Sequence, residues 1–507
     1  MSQKLIFLGL DGATWTQLDK FLQEDLMPNL SAMIKNGVKA ELRSTFPYTS
    51  RTSWISMLTG TNPGKHGIPH HIVGGKQEVP SIWKILSDHN VKSIIVNDIV
   101  TYPPLQINGI MISGGFSTPP HSKDFVHPIS LFEEINSLVD GYIPSLDSTI
   151  MEKLQNGMFE DAFFQLQEYG SKIVKTSLYL ANKFNWEIIS IVLENTDYLH
   201  HFFWDKPEFL KRFYKWLDEV LGNFHTLSLS YNANFLIVSD HGFGHIEKHF
   251  LINSWLRDSG LANFGKPGEI RRYLSKTKIK RDFVRKNLSR LHLRRLASKF
   301  TPSEIKKMIP LEQNEDGYIQ DSTDVYSEAY NEITINVDDP LKYEQIRNDV
   351  IKKLLQLHDN GKKVIQAAHK REEVFHGPYV NRAYDVQILT TLGYCWSSSI
   401  KEKYLLTTDE FGKTRTGDHR PEGIFLALGP DIKKGTRLEK SLMIWDICPT
   451  VLHMLNQEIP SYMDGKVIST IFDSKSSLHG KQISFQKENE KEFLRKRISQ
   501  KRDLLNL

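Results

Sequence analysis

Leu5-Ile6-Phe7-Leu8-Gly9-Leu10-Asp11 is an apolar run that stops abruptly on an acid, and its reading decides the fold. Lys4 precedes it, as a positive charge precedes the core of a secretory leader, but the run is short and no small-residue cleavage site follows. A first β-strand buried on both faces, of the kind found in parallel sheets, fits it better. The same habit recurs downstream. Ile188–Leu193 runs into Glu194 and Asp197, and Phe235–Val238 into Ser239-Asp240-His241. Between these runs lie helical patterns, such as Phe159–Asn182 and Phe209–Phe224, with charges set against Leu, Phe and Trp. The alternation predicts an α/β fold, a mostly parallel central sheet flanked by helices. Ligands of such sheets collect beyond the carboxyl ends of the strands, so these acids and histidines should meet in one site.

The chain has 507 residues, and its 40% hydrophobic content supports a buried core and excludes disorder. Two cysteines, Cys395 and Cys448, exclude a disulfide scaffold, a four-cysteine zinc module and a four-cysteine iron–sulfur cluster. No stretch reaches the roughly 18 apolar residues of a transmembrane segment, and cytoplasmic residence is the expectation. The net charge of +4 conceals an asymmetry. Between Lys266 and Lys299 stand 13 Lys and Arg against two acids, Glu269 and Asp282, a local charge of +11 that leaves −7 on the rest. Composition therefore divides the chain into an α/β catalytic domain (1–264 and 341–475), an inserted basic cap region (265–340) and a charged, helical C-terminal tail (476–507). Strands are expected at Glu332–Val337 and Ile424–Leu428. The basic stretch 266–299 could meet an anionic surface or a polyanionic substrate; a solvated helical cap is the plain alternative.

Four segments carry the chemistry. Asp11-Gly12 closes the first strand, where a turn is the ordinary role of Asp-Gly. Thr49-Ser50-Arg51-Thr52-Ser53-Trp54 enters an apolar, helix-like stretch that ends at Thr59-Gly60. Its hydroxyls suit an N-cap, and equally suit a nucleophile facing a phosphate at a helix start. Asp197 and His201 are four apart, so one helical turn points both the same way; a metal pair and an exposed ion pair share that spacing. Asp240-His241 follows a strand directly, while Gly417-Asp418-His419-Arg420 precedes one. Together these segments offer nitrogen and oxygen ligands of the kind zinc or manganese takes.

With these segments in this order, the chain resembles the alkaline phosphatase superfamily, in its type I phosphodiesterase/nucleotide pyrophosphatase branch. Further matching segments are Thr101-Tyr-Pro-Pro104, Ile112-Ser-Gly-Gly-Phe-Ser-Thr118, Ile252-Asn-Ser-Trp-Leu256, Asp446-Ile-Cys-Pro-Thr450 and Asp464-Gly465. The resemblance implies two divalent metal ions, zinc or else manganese. Asp197, His201 and His419 would hold one. Asp11, Asp240 and His241 would hold the other, with Ser50 as the bridging nucleophile and Thr49 as a minor alternative. It further implies cleavage of a phosphodiester or pyrophosphate bond in a small phosphate ester or nucleotide-like substrate, through a covalent intermediate on Ser50.

The match departs from the family at one place. Nucleotide pyrophosphatases carry an Asn beyond the nucleophile helix to hold a phosphate oxygen, whereas this chain reads His66-Gly-Ile-Pro-His70-His71. His71 is a substitute donor, or else a surface residue; Arg51 and Lys65 stand in the same balance. The sulfatase branch requires Pro two residues and Arg four residues after its nucleophile, where this chain has Thr52 and Trp54. Phosphomonoester or phosphonate hydrolysis stays open as the alternative activity, and a non-catalytic basic-surface binding protein as the alternative class. Tyr48, Trp54 and Phe116 are candidate aromatic walls for a substrate, with core packing the ordinary role of each.

Overall fold

Strand β1 (Leu5–Leu10) lies inside the main sheet of the computed structural model, which describes residues 3–70, 76–146, 148–262, 323–328, 330–412 and 415–486. The other strands that matter are β2 (Gly37–Arg43), β3 (Ser93–Ile99), β4 (Gly109–Gly114), β5 (Ile188–Leu193), β6 (Asn234–Val238), β7 (Gly242–Leu251), β8 (Gly417–Arg420) and β9 (Glu422–Leu428). The main sheet runs β2-β9-β6-β1-β5-β3-β4, with short strands added at both ends. β1 pairs in parallel with β5 and β6, and β3 in parallel with β5 and β4. β9 is antiparallel to both β6 and β2. The sheet is thus mixed but mostly parallel, as an α/β fold predicts.

All six residues of β1 and of β5 are buried, which is why their sequences are unbroken apolar runs rather than alternating ones. One face packs on helices α2 (Phe159–Lys183) and α4 (Pro207–Ser230), through Phe163, Leu166, Leu217 and Leu221 among others. The opposite face packs on helix α1 (Ser50–Thr59) and the segment Ile447–Met454, through Trp54, Met57, Val451 and Leu452. Cys395 and Cys448 are both buried, and neither forms a disulfide among the described residues.

The chain divides into two compact units, one of Met1–Ile246, Arg371–Ala383 and Lys413–Leu507, the other of Glu247–Lys370 and Tyr384–Gly412. The second unit has its own antiparallel sheet, in the order Ile365–Lys370, Val386–Thr390, Glu332–Ile335, Val325–Tyr326. Helix Pro340–Leu355 covers it around Ile333, Val350, Leu354, Val386 and Ile388. The strand expected at Glu332–Val337 is Glu332–Ile335 of this sheet. Of the stretch 265–340, residues 265–322 and 329 lie outside the described residues, and so does 266–299 with its charge. The same holds for 487–507 of the tail. Among the described residues, no helix is long and apolar enough to cross a membrane.

Candidate active site

Asp11 follows β1 directly and is buried at the sheet edge. Gly12 turns the chain away with φ +67°, a left-handed conformation that favours glycine, and its N–H donates to Asp240 Oδ1 at 3.1 Å. That bond ties the ends of two adjacent strands, β1 and β6. Gly9 has a different purpose. A Cβ there would stand 2.3 Å from the tip of the Trp54 ring, so its absence lets the indole lie beneath the strand end. Trp54 Nε1 then donates to Asp11 Oδ2 at 2.9 Å.

Helix α1 begins at Ser50, whose hydroxyl lies 3.2 Å from Asp11 Oδ1 and 3.2 Å from His241 Nε2. Thr49 is the extended residue before the helix, and its buried hydroxyl makes no hydrogen bond among the described residues. Helix α3 (Asn195–Phe203) leaves the end of β5 and turns Asp197 and His201 to the same side, with Oδ2 and Nε2 3.5 Å apart. Its neighbour His200 faces the other way, Nδ1 against the Gly12 carbonyl at 3.0 Å and Nε2 against the Tyr214 hydroxyl at 2.7 Å. His200 is a satisfied core histidine.

His419 arrives from the opposite chain direction. Because β9 is antiparallel to β6, it starts at the edge where β6 ends, so a residue just before β9 meets residues just after β6. β8 carries His419 there by pairing with the start of β7, where His419 lies opposite Phe243. His419 Nε2 is 3.1 Å from Asp197 Oδ1 and 3.0 Å from His201 Nε2. The six acids and histidines therefore converge, with Ser50 beside Asp11 and His241. Asp11, Asp240 and His241 form one close group, with His241 Nε2 3.5 Å from Asp11 and 3.3 Å from Asp240. The second close group is Asp197, His241 and His419, with His241 4.0 Å from Asp197. His201 adjoins it through its contacts with Asp197 and His419 rather than belonging to the same tight group.

The donor chemistry fits divalent cations. Each imidazole has Nδ1 against a backbone carbonyl: His201 against Gly417 at 3.0 Å, His241 against Gly242 at 3.2 Å, His419 against Tyr48 at 3.2 Å. An Nδ1–H donated outward directs each Nε2 into the site, as a metal ligand requires. Asp240 Oδ2 is buried and, among the described residues, makes no hydrogen bond, with His241 Nε2 3.3 Å away. Burial and the charges of Asp240 and Asp197 push the Asp11 carboxyl well above its ordinary range, against the pull of the Trp54 N–H. Burial takes Asp240 up to about 7, although the Gly12 N–H opposes it. Burial drives His241 well below its usual value, and lowers His201 to about 3 with help from the nearby charge of Arg415. At His419 burial is outweighed by Asp197, and the imidazole becomes more basic. Burial also opposes ionisation of Asp197, yet His201, His419 and His241 around it hold its carboxyl well below the normal range.

Other expectations resolve differently. Trp54 and Tyr48 are fully buried, neither of them a substrate wall. Trp54 instead orients an acid of the site. The available signal was its i, i+4 spacing from Ser50, which puts both on the α1 face toward Asp11. Phe116 is 47% exposed, so the core role is wrong for it: it follows the Gly114-Gly115 turn beyond β4 and stands out from the surface. Lys65 is neither a free phosphate donor nor a solvated side chain, being paired with Asp464 at 2.6 Å. Arg51 is partly buried, which lowers its proton affinity. His71 lies outside the described residues.

Comparison with known proteins agrees with this geometry. The family model for type I phosphodiesterase/nucleotide pyrophosphatase matches residues 5–419. No curated protein is detectably similar in sequence. Among solved structures, human ectonucleotide pyrophosphatase/phosphodiesterase 5 superposes with a TM-score of 0.52 at 14% identity, covering 93% of this chain and 100% of that one. An inactive murine form of the same protein, in complex with AMP, gives the same figures. At that identity the likeness is one of fold.

Proposed function

Since the chain belongs to the type I phosphodiesterase/nucleotide pyrophosphatase family, and is thus a hydrolase of the alkaline phosphatase superfamily, we propose that it cleaves its substrate through a covalent intermediate on Ser50. The observation that carries this reading is the Ser50 hydroxyl at 3.2 Å from members of one ligand group, with the second group beyond it. Asp11, Asp240 and His241 would hold one divalent ion and Asp197, His201 and His419 the other, with zinc or manganese suited to this nitrogen and oxygen set. Such ions supply charge neutralisation at the phosphoryl oxygens and make the serine hydroxyl more acidic.

The chain's own residues set the stereochemistry. Ser50 Oγ attacks phosphorus and forms the new O–P bond. In-line displacement sends the leaving oxygen out on the opposite side, toward Asp197, His201 and His419. Water entering from that vacated side then breaks the Oγ–P bond and restores the serine. The start of α1 adds partial positive charge for the phosphoryl oxygens. Buried Trp54 and Gly12 fix the two carboxyls of the first group and exclude water behind them. A small phosphate ester or nucleotide-like molecule is the substrate, a choice supported by the family and by the AMP complex of the murine structure. The stretch 266–299, from its charge, is our candidate for contact with an anionic surface.

The test is Ser50→Ala, assayed beside the wild type on an aryl phosphodiester, an aryl phosphomonoester and an aryl phosphonate with Zn²⁺ and with Mn²⁺. The variant should keep its metal and lose at least about 10³-fold in kcat, on the scale of losing an activated nucleophile. Near-wild-type turnover in the variant refutes the assignment, and a wild-type preference for the monoester or phosphonate refutes the diester reading.

A further inference from the structure

Between the paired strands Ile365–Lys370 and Val386–Thr390 of the second unit's sheet the chain makes a long excursion, and Arg371–Ala383 within it is part of the first unit. The ends of this loop are tied together, Arg371 Nη1 donating to the Ala383 carbonyl at 3.0 Å. A surface loop whose ends meet is compact in itself and suited to docking as a piece. It docks on residues 62–67, the segment that continues from α1. The Tyr379 N–H donates to the Gly64 carbonyl at 2.9 Å, and the His376 N–H to Asn62 Oδ1 at 3.2 Å. Arg382 donates to the Gly67 carbonyl at 3.3 Å and to Glu78 Oε1 at 2.8 Å. Two glycines permit the approach. A Cβ on Gly64 would stand 2.6 Å from the His376 carbonyl oxygen, and one on Gly377, at φ +118°, 2.6 Å from that of Gly64.

Asp464-Gly465, a segment of the family match that supplies no ligand, carries the contact on to α1. Both of its N–H groups donate to the carbonyl of Gly60, where α1 ends, at 2.9 and 3.1 Å. Asp464 Oδ2 accepts from the N–H and the Nδ2 of Asn62, each at 2.9 Å. Its Oδ1 faces His376 Nε2 of the loop at 2.9 Å and Lys65 at 2.6 Å. A second tie reaches the middle of the helix. His66 accepts the Ile68 N–H on Nδ1, so its Nε2 donates to the Ser56 hydroxyl of α1 at 2.9 Å. Ser50 opens this same helix, and a displacement of about 1 Å at a reacting atom costs about 10²-fold in rate. We infer that the loop Arg371–Ala383 is a positioning element for Ser50, acting on it through residues 62–67, Asp464 and the length of α1. The inference rests on Ser50 as the nucleophile.

The double variant His376→Ala/Arg382→Ala changes side chains of the loop alone and touches neither α1 nor a metal ligand. Amide hydrogen exchange should quicken about tenfold in 371–383 and, with it, in α1. On bis(p-nitrophenyl) phosphate with Zn²⁺, kcat should fall about tenfold or more while KM changes by less than about twofold and metal content stays the same. Gly64→Ala, which pushes the loop away from the other side, should act alike. Arg382→Lys in place of Arg382→Ala should recover part of the lost kcat. Faster exchange in the loop with unchanged kcat would reduce it to surface packing and overturn the inference. Wild-type exchange in α1, or a loss of kcat matched by a loss of metal, would overturn it too. A Ser50→Ala variant as active as wild type, or a wild type without turnover, refutes the nucleophile reading instead, and exchange across α1 in the double variant still decides whether the loop holds that helix.

Discussion

Trp54→Phe is the substitution that isolates how the site is supported. It removes one N–H that donates to Asp11 Oδ2 at 2.9 Å, in a place where both residues are buried and water cannot replace the donor. A hydrogen bond to a charged group in such a place is worth about 1.5–3 kcal/mol. With about 1.4 kcal/mol per pKa unit, the Asp11 carboxyl should rise by a further one to two units. Its proton then competes better with a cation, and divalent metal should bind about 10–100-fold more weakly, the range found when partners of metal ligands are removed elsewhere. The substitution also leaves a void beside Gly9, so a stability loss of about 1–3 kcal/mol accompanies it. A control separates the two effects. Trp83 is equally buried and its Nε1 donates to Asp98 Oδ2, a carboxylate that is not among the ligands. Trp83→Phe should lower the melting temperature comparably and leave metal affinity within about twofold. The assay is competition for Zn²⁺ or Mn²⁺ against a chromophoric chelator at neutral pH. Equal metal affinity in wild type and Trp54→Phe, or the same shift in both variants, would refute the reasoning.

Metal affinity should also follow pH with a definite sign. Asp240 is taken up to about 7 by burial, Asp11 lies well above its ordinary range, and His419 is made more basic by Asp197. Each must release its proton to bind a cation, so chelator competition should show affinity falling as pH drops from 8 to 6, by up to about tenfold per unit for each such proton. A flat profile across that window would show that these groups are not the ligands. In the second unit, Gln387 Nε2 donates to Glu332 Oε1 at 2.7 Å, and burial raises the Glu332 carboxyl well above its ordinary range. A carboxyl with a raised folded-state pKa stabilises most when protonated and loses that contribution as pH rises through the folded value. Glu332→Gln should therefore melt close to wild type near pH 4 and lose less stability as pH rises from there; identical pH dependence of the two melting curves would rule this out.

The parallel core was legible because double burial forces strands such as β1 and β5 to be uninterrupted apolar runs, and the acids that end them announce the sheet edge. The helix bearing Asp197 and His201 was legible from spacing alone. The function of Trp54 was not. Its bond to Asp11 spans 43 positions and depends on a side chain that Gly9 lacks, so neither residue signals it in isolation. Phe116 departs from the ordinary core role of an aromatic residue because its exposure is set by where β4 ends. α/β character continues through 341–412 without a compositional break. The strands Ile365–Lys370 and Val386–Thr390 of the second sheet are broken by polar residues and end on no acid, so the signal that reveals the first sheet does not find them.

The electrostatics of the seven residues give a physical reason for the clustering that motif matching does not. The carboxylates of Asp240 and Asp197 each raise the proton affinity of Asp11, and a fold that only needed stability would have replaced such a set with apolar groups. The protein instead retains protons where cations would neutralise the charge. Asp197 makes the His419 imidazole more basic, and burial raises the carboxyls of Asp11 and Asp240. The outward Nδ1 bonds of His201, His241 and His419 leave each Nε2 facing this charge, an arrangement that costs stability unless a positive ion uses it. Strain of this kind, concentrated at the strand ends around one serine hydroxyl, is what a cation-dependent phosphoryl site requires of its scaffold.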